Sequence, residues 1–447
     1  MVSSETTAPR SIPGASAARP PSRVSDVVTR LRDEPWARLA LATIAVGVAA
    51  GLGALALVLV VHSVEDLVWG HASGPFLDNR AYPSNRWLPL VVLSAAGVGL
   101  SLAWYALRRW GTPLVSIKDS MRGTRMPVVG TTLDALIQVV GVALGSPIGK
   151  EVAPRQLAAM LADRVAALLG VDRRWVAPLI ASAAGAGLAA VYNVPLAGTL
   201  FALEILLARV NLRLAGVALT VNVIATLVAR PLVPDTSLYT VPEATSTWWV
   251  IAVALAIGPI LGWIGASFTL LMRRLTKDRP TGWRLLLWLP LTLAAVGLLA
   301  VWFPLLLGNG RAIAQVAFDG SGPIALLLAL AVLKYLVTSA TLGAGAIGGT
   351  LQPSIAIGAA LGAAIGLWLG WDQPQVTALA IVGAAGFLAT TMRAPLTAMA
   401  LVLEFTDTGF TLLVPVTVCV VAALGTAELI DGLSHRRRAR ARLQAEA

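Results

Sequence analysis

Six apolar stretches, at about 36–62, 87–107, 212–233, 247–272, 284–306 and 323–342, each approach or exceed the roughly 20 residues that a helix needs to cross hydrocarbon. The rest of the 447-residue chain agrees with them: 57% of residues are hydrophobic and 13% are charged, against about 25% charged in a soluble domain. A water-soluble enzyme is excluded. Glycine is abundant, at 41 residues, and aromatics make up 6%. That balance suits closely approaching membrane helices better than an aromatic-girdled barrel. The expected fold class is all-α, a polytopic membrane protein.

A second set of apolar segments does not fit a simple bundle. Residues 130–145, 151–170, 174–190, 194–209, 351–370, 376–391, 395–406 and 410–431 are short or broken by Gly and Pro, and several would cross only part of a bilayer. Lipid cannot satisfy the backbone groups that such breaks release. The breaks must therefore line a protected cavity, which points to a permeation pathway.

The two halves repeat one another. Asn193-Val194-Pro195-Leu196 through Leu203-Glu204 matches Arg393-Ala394-Pro395-Leu396 through Leu403-Glu404 at an offset of 200 residues. Upstream, Ile148-Gly149-Lys150-Glu151 through Pro154 matches Ile347-Gly348-Gly349-Thr350 through Pro353 at 199, in the same order. Duplicated halves with broken helices are a transporter architecture, with the site at the repeat interface near the midplane. In each half a Gly-containing turn leads straight into a helical pattern. Unpaired N–H groups and the positive end of the helix dipole then face inward, where they suit a small anion.

Glu151 is the prime functional residue, because a carboxylate at membrane depth is costly and functional by default. Ionised, it would occupy the anion site as a tethered competitor; protonated, it would swing away. The plainer alternative is a carboxylate that caps its own helix. Lys150 either stabilises a nearby anion or snorkels to water. Glu204 and Glu404 occupy equivalent positions of the two repeats, which favours a structural role for both.

These residues resemble the CLC family of chloride channels and proton/chloride exchangers. Gly149-Lys150-Glu151 resembles the family's G-[RK]-E-G-P element and Gly348-Gly349-Thr350-Leu351-Gln352-Pro353 its G-G-x-F-x-P element. The two Pro-Leu segments at 195 and 395 resemble its pore-helix signatures. The resemblance spans about residues 36–434. It implies a CLC-like inverted repeat of tilted and re-entrant helices, and a homodimer of two independent pores. It makes Glu151 the gating glutamate, with Thr112, Gly149, Lys150, Gly349, Thr350 and Leu351 around the anion.

The chain also departs from the family. The selectivity element G-S-G-I-P is matched by Gly111-Thr112-Pro113-Leu114-Val115, where Thr112 is either the hydroxyl donor or an ordinary turn residue. Ile205 stands where exchangers carry a second, proton-relaying glutamate, so Glu204 substitutes, water fills the path, or protons are not coupled. Val152 and Pro154 alter the E-G-P element, and Ile430 replaces a tyrosine that faces the anion in many members. The expected function is transport of small inorganic anions, chloride foremost, as channel or proton antiporter. The alternatives are a fluoride-selective relative or a secondary transporter of another anionic solute.

The net charge of +11 sits at the ends rather than on a face, at Arg10, Arg19, Arg23, Arg30, Arg32 and Arg38 and at Arg436, Arg437, Arg438, Arg440 and Arg442. This argues against a nucleic-acid partner. It places both termini in the cytoplasm of a multi-pass inner-membrane protein. The expected organisation is a disordered tail over 1–34, a membrane domain over 35–434 with halves of about 35–233 and 247–434, and a basic tail over 435–447 too short for a regulatory module. No cofactor or metal is expected, since His62, His71 and His435 are dispersed. An ATP-binding loop is excluded because Glu151 stands where G-x-x-x-x-G-K-[ST] needs a hydroxyl. Cys419 is expected to pack in the core.

Overall fold

The computed structural model describes residues 35–70 and 85–446, with the side chains of Pro35 and 433–446 outside the description. The proposed N-terminal tail, His71 and the basic side chains from 436 onward lie outside the described residues. Among the described residues the regular structure is helical throughout, with ten helices long and apolar enough to span a bilayer. In chain order they and their shorter companions are α1 (Pro35–Trp69), α2 (Leu88–Trp110), α3 (Ile117–Met121), α4 (Val128–Ala143), α5 (Val152–Leu168), α6 (Arg173–Tyr192), α7 (Pro195–Leu200) and α8 (Leu212–Ala229). After these come α9 (Trp248–Lys277), α10 (Trp283–Ala300), α11 (Arg311–Phe318), α12 (Ile324–Gly343), α13 (Leu351–Trp368), α14 (Gln373–Met392), α15 (Pro395–Thr406) and α16 (Leu413–Glu446).

The apolar runs stop where side-chain chemistry stops them. The run expected to reach 233 ends at Ala229, just before Pro231, and the one expected to reach 306 breaks at Ala300, ahead of Pro304. The first pore-helix signature leaves α7 as a π-helical stretch, Phe201–Leu207, whereas its copy stays α-helical to Thr406. The last helix, α16, runs to Glu446. Exposed tryptophans mark helix ends, as at Trp36, Trp110, Trp248, Trp283 and Trp368, where an indole ring suits the headgroup region.

Burial separates two rings of helices. α6, α13 and α14 have 83%, 78% and 83% of their apolar window inside the protein, whereas α2, α8 and α10 each have 33%. The duplicated helices α6, α13 and α14 thus form the centre, while α2, α8 and α10 belong to the lipid-facing wall. The duplication is visible in the backbone: α5, α6 and α7 correspond to α13, α14 and α15. Their turns share Gly145 and Gly345 (φ +98° and +108°), and left-handed Asn193 and Arg393 (φ 57° and 55°). Asp172 and Asp372 cap the equivalent helices α6 and α14. Cys419 is buried on α16 with its sulfur against Gly386.

Small residues set the closest approaches. At Gly358 on α13 an added Cβ would run into the carbonyl of Gly383 on α14, and the converse holds at Gly383, so these helices touch backbone to backbone. Gly425 on α16 faces open space. Replacing Gly358 with Ala should lower stability by about 1–3 kcal/mol through overpacking, while Gly425→Ala should not. Thermal unfolding in detergent, comparing both variants with the parent, checks this.

Candidate functional site

The site forms where the two halves meet head to head. In the first half α4 ends at Ala143, Gly145 turns the chain back, and residues 146–150 run without regular structure to the start of α5. In the second, α12 ends at Gly343, Gly345 turns, and α13 starts at Leu351. The two irregular segments pair: Gly149 N–H donates to the Gly349 carbonyl at 2.8 Å, and Gly349 N–H donates back to the Gly149 carbonyl at 2.8 Å. Each break thereby satisfies backbone groups of the other.

Glu151 is fully buried on this bridge. It occupies the N-cap position of α5 without capping that helix, which sets aside the plainer reading of its carboxylate. Instead Oε1 accepts from the Leu351 N–H at 2.7 Å, at the start of α13 in the other half. Oε2 has no hydrogen-bond partner. The carboxylate lies directly against Gly149 and Gly349, since a Cβ on either would overlap it. Two glycines and an opposing helix start therefore build the space that the carboxylate fills.

Of the residues expected around an anion, Gly149, Gly349, Thr350 and Leu351 are brought together with Glu151. Thr350 is the N-cap residue of α13, with its hydroxyl outside the cap. Lys150 is adjacent, its Nζ 5.7 Å from the centre of the Tyr192 ring. Thr112 is not brought into this assembly. It is exposed in the loop after α2, its hydroxyl beside Gly130, and α3 starts five residues later with Ser116 as its cap. Ser116 Oγ accepts from Asp119 N–H at 3.1 Å. The hydroxyl at this helix start is therefore that of Ser116, because the extended backbone at Ser116 and the Asp119 N–H define the cap.

Two cavities approach Glu151. One, of about 210 Å³, is lined by His62, Glu65, Lys150, Tyr192, Asn309 and Arg311. The other, of about 430 Å³, is lined by Ser116, Lys118, Val152, Arg155, Gln156 and Ile205, among others. His62 and Glu65 lie toward the end of α1, whereas Ser116 and Lys118 follow the end of α2, the helix that returns across the molecule. The cavities thus open on opposite faces, and the neighbours of Glu151 in sequence, Lys150 and Val152, belong to different ones.

Three features were missed in the sequence. Arg155 sits one turn beyond Glu151, its Nε donating to the Glu151 carbonyl at 2.7 Å; its spacing of four from Glu151 was the available signal. Gln352 is buried, its Oε1 accepting from the Tyr239 hydroxyl at 2.6 Å and its Nε2 without a partner. The third feature is the pairing of Glu204 and Glu404. Glu204 accepts from the N–H groups of Leu396 and Thr397 at 3.1 and 2.7 Å and from the Thr397 hydroxyl at 2.6 Å. Glu404 accepts from the Leu196 and Ala197 N–H groups at 3.0 and 2.7 Å. Each glutamate caps the pore helix of the other half.

The fold and site define a class: a polytopic membrane protein of two inverted halves whose broken helices meet around one buried carboxylate. The family model for voltage gated chloride channels matches residues 94–428, and the chain belongs to that family, the CLC proteins. A voltage-gated ClC-type chloride channel, ClcB of Salmonella typhimurium, is 29% identical over 423 residues, covering 90% of this chain and 99% of the relative. The H(+)/Cl(-) exchange transporter ClcA of Cronobacter sakazakii is 32% identical over 269 residues, 57% of each chain. Among solved structures, a slow cyanobacterial Cl-/H+ antiporter superposes with a TM-score of 0.75 at 22% identity, covering 88% of this chain and 95% of that one. A CLC-type fluoride/proton antiporter does so with 0.67 at 20%, covering 91% and 97%.

Replacing Glu404 with Ala should leave two helix-start N–H groups unpaired and cost about 1–3 kcal/mol, and Glu204→Ala should cost a similar amount. Thermal denaturation in detergent measures both. A loss confined to one of the two would contradict their equivalent capping.

Proposed function

We propose that this protein carries small inorganic anions, chloride foremost, across a membrane along a path in which the Glu151 carboxylate is a tethered plug. One observation carries the reading: the carboxylate occupies a niche built from the helix starts of both halves, with a cavity on each side. Ionised, it takes the Leu351 N–H that an anion would need. Neutral, it holds that donor more weakly and leaves the niche, so the N–H groups at the helix start become available to an anion in transit. The relatives support the reading through their names, one a chloride channel and one an H(+)/Cl(-) exchange transporter.

Proton coupling is weak or absent in this proposal. Ile205 lines the Arg155 cavity where exchangers of the family carry a glutamate, and the neighbouring Glu204 is engaged in capping α15. The protein is further proposed to act as a homodimer in the bacterial inner membrane. Both termini are proposed to face the cytoplasm on account of their basic residues.

Purified protein in liposomes should dissipate a chloride gradient, faster as pH falls, because protonation of the plug opens the path. Glu151→Ala should flatten that pH dependence. Absence of chloride and fluoride flux at every pH would overturn the reading, and uphill proton movement driven by a chloride gradient would overturn its uncoupled form.

A further inference from the structure

The Arg155 cavity contains a cation whose carboxylate counter-charge is the gate itself. Arg155 lies on α5, four residues beyond Glu151, partly buried at the cavity wall. One of its five N–H donors is used within the protein, Nε to the Glu151 carbonyl. The guanidinium carbon lies 5.1 Å from the centre of the Phe201 ring, so the plane rests on an aromatic face rather than on a carboxylate. The Glu151 carboxylate is turned onto the Leu351 N–H instead. Among the described residues no Asp or Glu lines the cavity, and Lys118 adds a second cation to it. The nearby Asp119 is held by the Ser116 hydroxyl at 2.7 Å and by Arg122 at 3.4 Å. Glu151 is the guanidinium's carboxylate counter-charge; once that carboxylate is neutralised or leaves the niche, a guanidinium taken partly out of water is unfavourable unless an anion from outside supplies the charge.

We propose that Arg155 is a side-chain ligand for the transported anion, in the wall of a cavity that Lys118 helps to charge. This rests on the anion-transport reading and deepens it. The free edge of a guanidinium offers parallel N–H donors, which suit a halide or a planar monovalent oxyanion. It also replaces what the motif comparison expected here: Thr112 is outside the cavity and Ile430 carries no hydroxyl. The cavity then concentrates anions beside the gate by charge, and α5 presents both the plug and, one turn on, the ligand.

Calorimetric titration of the purified protein in detergent with chloride, and separately with nitrate, tests this. Arg155→Gln should weaken binding at least about tenfold, the loss expected of one charge-assisted ligand, and Arg155→Lys should fall between it and the parent. Gln156→Glu places a carboxylate in the same cavity without changing side-chain size, and should also weaken binding. It serves as the deciding variant if Arg155→Gln elutes as aggregate. Parent-like affinity in folded Arg155→Gln overturns the proposal, as does parent-like affinity in Gln156→Glu where the glutamine variant does not fold. Liposome flux separates the two readings. Anion flux in the parent with unchanged binding in the variants rejects the ligand and keeps the transporter, whereas variant-sensitive binding without flux in the parent does the reverse.

Discussion

A helix that begins inside a bilayer leaves N–H groups that lipid cannot satisfy, and this structure meets the problem by making each half supply the partners of the other. The Gly149–Gly349 bridge joins the two breaks, Glu151 takes the Leu351 N–H, and Glu204 and Glu404 exchange places at the pore-helix starts. All of these ties run between the halves. Neither half could bury its own broken helices alone, because the acceptors for one lie in the other. The outer wall of long helices depends on this centre, since the wall encloses backbone that would otherwise be exposed to hydrocarbon.

Function enters where the duplication fails. The backbone turns are nearly superimposable in kind, down to left-handed Asn193 and Arg393 at matching positions. The side chains differ. The first half brings a carboxylate to the bridge, and the second brings the bare N–H of Leu351 to receive it. Two symmetric carboxylates at this point would repel one another, and two bare helix starts would have no gate. One of each gives a niche that the carboxylate fills, and on the proposed reading an anion takes its place when the carboxylate is displaced.

Much of this was legible in the sequence, for identifiable reasons. The spans and breaks follow from apolar length and from Gly and Pro, which are local properties. Glu151 stood out because a lone carboxylate in an apolar, glycine-rich setting is rare. The equivalence of Glu204 and Glu404 could be read from the 200-residue offset, but not that each reaches across to the other half, since that contact joins residues about as far apart as the repeat itself. Motif matching leads to Thr112 because it compares residue types, whereas the helix cap at Ser116 is decided by backbone angles. Arg155 was passed over because a charged residue in a short helix resembles a solvated face, and only the fold shows which face borders the gate.

The two cavities also differ in what they can do with a proton. The Lys150 cavity contains His62 and Glu65, side chains that can hold and release one. Among the described residues lining the Arg155 cavity there is no carboxylate and no imidazole, and its charged groups are Lys118 and Arg155. A positive cavity attracts anions and raises the free energy of a proton by the same Coulomb interaction. An exchanger needs its gating carboxylate to equilibrate with protons from both faces in turn. A carboxylate supplied from one face can be opened by acid on that face while anions pass in either direction, and this is how replacing a relay glutamate by Ile205 and adding Arg155 beside the gate would turn an exchange geometry into a pH-gated conductance.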